Sequence, residues 1–523
     1  MEQVVIPPQV LTFLIATILP MPRYSPASQP QTPTVPGAVR HVQSGTRRSS
    51  YTGGRPSSVG YEGFSPWVNI ICVSLGTLYA MMNVPDNSEA DGALVSCGMG
   101  MGLGMAVGPA LAALLNPRDV LRTENIVGFM PFYWLIMDLV TGAYPMIGVS
   151  SAVVSKTFLA IGVYLIAYWV GTMAKPWRLP EAFLRSCQLK PETSVLMPVV
   201  LVCFFLAMLK FALPCKFDLV LMFKSALGAR WTAPWGRGQF GGWDAFTDHL
   251  AYFGYLLPTF AVMIAQRKSW FHASTLVALL CAAIFLLFLS QSGARRIVGV
   301  CLGAAVFTWI VNQRQVRAWH LGILAMGVGA ILVLMQMMII SRGLGFGTLG
   351  FDTAGSAAVS TLKGDAVAAG GPKTISVDDN FLRLAQTIML IPERYDYVYY
   401  KQIYYTIARP VPRVLWPGKP ESPGFDLYVL VASGASLSTT IVGEFWISLG
   451  FPAVWLGGWC YGRLARMSSP LFHAASGTVG PMFYGYITMT LFVGFRSLVE
   501  VILFSYALLA WVGATWIIKK WGR

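Results

Sequence analysis

Arginines and carboxylates set in apolar surroundings are the side chains of this sequence with the most chemistry to offer. Arg295 and Arg296 open one apolar run and Arg342 closes another; Arg409, Arg413 and Lys419 fall between two runs, and Arg496 follows a third. A guanidinium is a planar fork that grips phosphate in bidentate fashion. Several converging at a bilayer surface would hold a pyrophosphate whose lipid tail lies in the membrane. The plainer alternatives are snorkelling toward headgroups and pairing with carboxylates such as Glu393 and Asp396. The stretch SQSGARR at 290–296 adds a small-residue turn that lets backbone amides approach an anion. Its two arginines then stand at a helix N-terminus, where the dipole also favours negative charge.

Two groups are candidates for moving a proton. Glu444 sits in GEFWISLG, inside an apolar segment where a carboxylate is unfavourable, and it is either a proton acceptor or the structural partner of an arginine. His249 follows Asp244 and Asp248; it is either a base or a headgroup-level residue at the end of a span. Between 391 and 420, Tyr397, Tyr400 and Tyr404 recur at helical spacing, so one face of a surface helix would be aromatic. Such a face stacks on sugar rings or sits in the aromatic belt of a membrane border. Pro410, Pro412, Pro417 and Pro420 fix an extended or turning backbone that would hold Arg413, Trp416 and Lys419 in place. Asp138, Lys156 and Lys210 fall in or near apolar runs without an assigned role.

Other chemistries are excluded. The glycine-rich stretch at 341–350 lacks the GK[ST] of a phosphate loop, so a nucleotide-driven pump has no support, and neither GxSxG nor HExxH occurs. The 8 cysteines form no CxxC and no Cys/His ligand spacing, which leaves no disulfide framework or zinc site.

The elements that must position these residues follow from composition. Of 523 residues 55% are hydrophobic and 12% charged, against roughly 25% charged in soluble proteins. With a mean hydropathy of +0.58, the chain reads as an all-α polytopic membrane protein with about 12 transmembrane helices of some 20 residues each. Spans are expected at 67–82, 93–115, 127–149, 152–173, 195–213, 249–265, 273–289, 297–311, 321–340, 440–461, 477–495 and 499–518. The net charge of +15 is scattered in short clusters on every second connection, as the positive-inside rule produces, so nucleic-acid binding is discounted. Arg47, Arg48, Arg118, Arg122, Lys175, Arg267, Arg463, Arg466 and Lys519 mark the cytoplasmic side, with both termini there. Residues 1–65 form a basic, disordered cytoplasmic segment: the apolar stretch at 10–19 is too short to span, and 21–58 is rich in Pro, Ser, Gly and Arg. Helices 1–9 occupy 66–340, a large external loop 341–439, and helices 10–12 the segment 440–523; 214–248 is a second long external stretch.

Five motifs give the chain a likeness: SGARR at 292–296, RGLG at 342–345, PERYDYVYY at 392–400, VPRVLWPGKP at 411–420 and GEFWISLGFPAVWLG at 443–457. On these it resembles the oligosaccharide repeat-unit polymerases, the O-antigen polymerase (Wzy) family. The resemblance implies a GT-C-like helical fold in the bacterial inner membrane with a large periplasmic loop. It implies that the growing glycan moves from undecaprenyl pyrophosphate onto the non-reducing end of the next lipid-linked repeat unit, without metal or cofactor. Donor and acceptor lipid-linked glycans, membrane lipids and a Wzz-like chain-length regulator are the partners it implies. In that scheme Arg295, Arg296, Arg342, Arg413, Lys419 and Arg496 bind the pyrophosphate, while Glu444 or His249 takes the proton of the attacking hydroxyl. Tyr397, Tyr400, Tyr404 and Trp416 contact glycan. The basic N-terminal extension departs from the family pattern. The rival readings are an O-antigen-ligase-like transferase and a polysaccharide transporter or flippase. A transporter is expected to spread polar groups through its spans and to repeat its halves, whereas these charges gather at one face.

Overall fold

Among the described residues the apolar runs fold as helix, because a backbone in lipid must satisfy its polar groups within its own segment. The computed structural model describes residues 65–90, 92–143, 146–228, 232–235, 244–291, 295–313, 315–340, 379–409, 411, 413–425, 437–474 and 477–521. Arg342, the glycine-rich part of the large loop, residues 292–294 of SGARR and the N-terminal segment through residue 64 lie outside the described residues.

In chain order the helices are α1 (Pro66–Met82), α2 (Val95–Leu115), α3 (Thr123–Pro131), α4 (Met137–Val140), α5 (Ser151–Met173), α6 (Glu181–Cys187), α7 (Thr193–Ala212), α8 (Leu219–Leu227), α9 (Asp244–Ala251) and α10 (Leu257–Arg267). They continue with α11 (Ala273–Gln291), α12 (Arg295–Val311), α13 (Ala318–Ile340), α14 (Asn380–Leu390), α15 (Lys401–Ala408), α16 (Thr440–Leu449), α17 (Phe451–Arg466), α18 (Ser469–Phe472), α19 (Gly480–Gly494) and α20 (Leu498–Trp521). No strand occurs among the described residues. Among the described residues five helices, α2, α5, α7, α11 and the Ala318–Met335 part of α13, are long and apolar enough to cross a membrane.

Several expected spans are shorter or interrupted, each for a local reason. The run at 127–149 begins earlier, at α3, widens into a π turn at Phe132–Ile136 behind Pro131, and ends with α4, where Gly142 takes φ 65. The run at 249–265 is α9, a 3-10 stretch at Tyr252–Leu256, and α10. The run at 440–461 breaks at Gly450, whose φ of 66 ends α16 and starts α17.

Packing in the bundle rests on close backbone approach. A Cβ at Gly462 of α17 would stand 2.1 Å from the Tyr168 carbonyl of α5, and one at Gly171 of α5 would stand 2.2 Å from the Trp459 carbonyl. Gly104 of α2 meets the Cys72 carbonyl of α1 in the same way, at 2.6 Å. Apolar side chains gain little by leaving lipid for protein, so small residues that admit tight van der Waals contact hold such helices together.

Hydrogen bonds sort the helix ends into two sets. Arg463 donates to the Lys175 carbonyl at 3.0 Å, Arg466 to that of Thr172 at 2.7 Å, and Arg267 to that of Gly477 at 2.6 Å. Arg118 reaches the Phe472 carbonyl at 3.3 Å. The basic clusters at the close of α2, α5, α10 and α17 therefore share one end of the bundle. At the other end, Ser151 donates to the Pro85 carbonyl at 2.7 Å, the Ile441 amide to Phe495 at 2.7 Å and the Val398 amide to Ile447 at 3.0 Å. The large loop's α14 and α15 pack on α16 there.

Candidate functional site

Glu444, Arg296 and Arg496 meet at the end of the bundle opposite the basic clusters. Glu444 projects from α16 toward the start of α20. Its Oε1 accepts from the Ser497 hydroxyl at 2.7 Å and its Oε2 from the Leu498 amide at 2.9 Å. The Gln402 side chain of α15 bonds the same carboxylate, and Arg496 is its charged neighbour. An acid that receives the first amide of α20 also sits where the helix dipole favours it. Glu444 is thus a three-way brace between α15, α16 and α20.

Two residues beyond Leu498, in the first turn of α20, Glu500 pairs with Arg296 at the start of α12 and stands 3.8 Å from Arg496. Both guanidiniums therefore converge on one carboxylate. All three side chains are largely withdrawn from solvent, at 32% exposure for Arg296 and 16% for each of Arg496 and Glu500. Arg295 is half-buried beside them at the same helix start.

A second basic corner lies in the proline-punctuated loop. Lys419 donates to the carbonyls of Arg409 at 3.0 Å and Val411 at 2.7 Å, so it staples the loop as well as charging it. Desolvation first, then the charges of Arg413 and Arg409, hold its ammonium below the ordinary lysine value. Arg413 reaches Glu421 at 3.5 Å and is 42% exposed. His249 has Asp248 and Lys419 as charged neighbours, and its ring lies 5.0 Å from Tyr506 of α20. Lys210, unassigned in the sequence, pairs with Asp248 at 2.6 Å, and Lys156 lies 5.2 Å over the Trp446 ring.

The aromatic face expected from Tyr397, Tyr400 and Tyr404 does not form as one helical stripe. The amides of Val398 and Tyr399 bond the carbonyls of Ile447 and Ser448, at 3.0 Å each, so this backbone is pinned to α16 and the helix begins only at Lys401. Tyr397 turns inward: a Cβ at Gly450 would lie 2.8 Å from its hydroxyl. Desolvation first, with Tyr399 beside it, raises that phenol above its ordinary value. Tyr400 is exposed, and Tyr404 stands edge-on to Trp416 with ring centroids 6.1 Å apart.

Sequence reasoning missed Glu500, Ser497 and Gln402. The arginine partners are Glu500 and Glu421, while Glu393 and Asp396 are exposed. The signal for Glu500 was its place four residues after Arg496 in the first turn of a helix. No group of three or more His, Cys, Asp or Glu side chains arranged for a metal ion occurs among the described residues. No family model matches the chain, and neither a curated protein nor a solved structure matches it.

Proposed function

We propose that the protein is a membrane glycosyltransferase that polymerises lipid-pyrophosphate-linked oligosaccharide repeat units. In this reading it is a GT-C-like bundle of about 12 passes in the bacterial inner membrane. The basic end and both termini are cytoplasmic, and the Glu444 end is periplasmic. The observation that carries the reading is the convergence of Arg296 and Arg496 on a single carboxylate, Glu500. Two guanidinium forks aimed at one point are the arrangement a diphosphate requires.

In the reaction, a hydroxyl of the acceptor glycan attacks the anomeric carbon of the donor. The bond from that carbon to the pyrophosphate oxygen breaks, and the lipid pyrophosphate departs as an anion. Arg296 and Arg496, with Arg295, Arg413 and Lys419 as further cations at this end, oppose the charge growing on the leaving group, a role the reading also gives Arg342. The hydroxyl proton passes to an acidic group of this cluster, with Glu444 bracing the helices around it and His249 bordering it. Tyr404 and Trp416 offer an aromatic edge to sugar rings, with the exposed Tyr400 one turn before Tyr404, while Tyr397 is turned inward. A Wzz-like regulator would act on this end of the bundle.

Deleting the gene and separating the surface glycan by gel tests the reading. Single repeat units in place of a ladder, restored by the wild-type chain but not by Arg296→Ala or Arg496→Ala, are expected. A normal ladder in the deletion strain removes the proposal. Labelled donor offered either a second repeat unit or lipid A core separates polymerase from ligase.

A further inference from the structure

Glu500 is placed oddly for a structural residue. It lies in the first turn of a helix, where one carboxylate is at home, yet two arginines are drawn onto it, Arg496 from four residues upstream and Arg296 from the start of α12, far away in sequence. Its Oε1 faces both guanidiniums, while its Oε2 is buried and has no hydrogen-bond partner among the described residues. Buried polar oxygens without a donor are rare and call for a role. Glu444 offers the contrast. Each of its oxygens already accepts a hydrogen bond, from Ser497 and from Leu498.

Resting on the reading above, we propose that Glu500 occupies the seat of one phosphoryl group. The donor diphosphate displaces it from Arg296 and Arg496 and so frees it to take the acceptor's proton. Removing one partner from a buried ion cluster leaves uncompensated charge, so the two arginines hold on to an anion throughout: the carboxylate before the donor arrives, the diphosphate after. The exchange needs no net movement of charge into the site beyond that of the ligand.

The step balances. The acceptor O–H bond breaks and its oxygen forms the bond to the anomeric carbon. The bond from that carbon to the diphosphate oxygen breaks with its electron pair leaving on the lipid pyrophosphate, and the proton goes to Oε2 of Glu500. The protonated acid cannot return to the arginines as an anion until it gives up that proton, which orders product release before the next resting state. A carboxylate clamped by two guanidiniums is also a poor proton acceptor, so a site without donor does not deprotonate the acceptor hydroxyl. Donor binding and activation of the acceptor thereby become one event.

The test measures binding and turnover separately, in full-length protein purified in detergent. Inorganic pyrophosphate is the probe for binding. Lipid-linked repeat units extracted from the deletion strain are the probe for turnover. If the clamped form dominates the resting protein at roughly nine parts in ten, removing the internal anion tightens the apparent Kd for pyrophosphate about tenfold. Glu500→Gln is therefore expected to bind pyrophosphate about tenfold tighter and to make no polymer, a pairing that a merely structural glutamate does not produce. Glu500→Asp, which keeps the acid on a shorter stem, is expected to fold, to bind pyrophosphate somewhat more tightly and to retain slow polymerisation. Weaker or unchanged pyrophosphate binding in both variants overturns the displacement, and polymerisation at the wild-type rate by Glu500→Gln overturns the proton transfer. Arg296→Ala and Arg496→Ala stand apart as the check on the underlying reading: if both bind pyrophosphate as the wild type does, that reading fails whatever Glu500 does.

Discussion

Replacing Glu444 by Gln and by Ala separates a brace from a base. The carboxylate receives the Ser497 hydroxyl at 2.7 Å and the Leu498 amide at 2.9 Å, with Gln402 adding a third contact. Hydrogen bonds to a charged group contribute about 1.5–3 kcal/mol each, so Glu444→Ala, which orphans both donors in a buried site, is expected to lose about 3–6 kcal/mol. Glu444→Gln fares better. Its carbonyl still accepts from Leu498, and its amide can donate to the Ser497 oxygen, which accepts as readily as it donates. Only the charge is lost, at a cost of about 1–2 kcal/mol. The assay is thermal unfolding in detergent followed with a thiol-reactive fluorophore, because Cys97, Cys187, Cys203, Cys215, Cys281 and Cys301 are buried and free. Polymer formation is measured on the same samples. A brace predicts that Gln keeps most of the stability and most of the polymer while Ala loses both. A Gln variant with near wild-type unfolding and no polymer would show that the carboxylate takes a proton, and the argument for the brace would be wrong.

Three further outcomes follow from the geometry. A methyl at Gly462 lies 2.1 Å from the Tyr168 carbonyl, whereas one at Gly329 meets nothing within 4 Å; Gly462→Ala should lose about 1–3 kcal/mol by overpacking and Gly329→Ala none, and equal unfolding midpoints would refute the α5–α17 contact. Lys419 is held below the ordinary lysine value by desolvation and then by Arg413 and Arg409, so over the window just below about pH 10.4 the unfolded chain binds more protons at this group than the folded one. Stability tied to Lys419 therefore rises with pH through that window and falls as pH drops; the midpoint of wild type relative to Lys419→Met should climb there, and a flat difference contradicts the assignment. Tyr404→Ala and Trp416→Ala should each lower glycan transfer, with a coupling of about 0.5–1.5 kcal/mol in the double mutant; strict additivity would mean that the two rings act apart.

Long apolar runs were legible because length and composition alone fix them: α1, α2, α5, α7, α11 and α13 each begin and end within a few residues of the expected spans. Interruptions were harder to read. Pro131 and Gly450 sit inside apolar runs, and backbone conformation reveals that one opens a π turn and the other splits a helix. The tyrosine spacing misled for a related reason. A period near 3.6 in side chains does not decide conformation when the backbone finds partners elsewhere, and the amides of Val398 and Tyr399 find theirs on α16.

The site was half legible, and the missing half was the negative one. Arginines in greasy sequence announce an anion but do not say whether the anion is brought in or built in. Glu444 looked like the built-in candidate because it stands alone in an apolar segment, yet its oxygens are occupied by Ser497 and Leu498. Glu500 carried the local clue, one helical turn from Arg496, while its other partner, Arg296, is joined to it only by folding. Two guanidiniums that share one carboxylate are each less than fully neutralised by it. On the proposed reading a diphosphate is preferred there because it offers each arginine a phosphoryl group of its own, where Glu500 offers the two of them a single carboxylate.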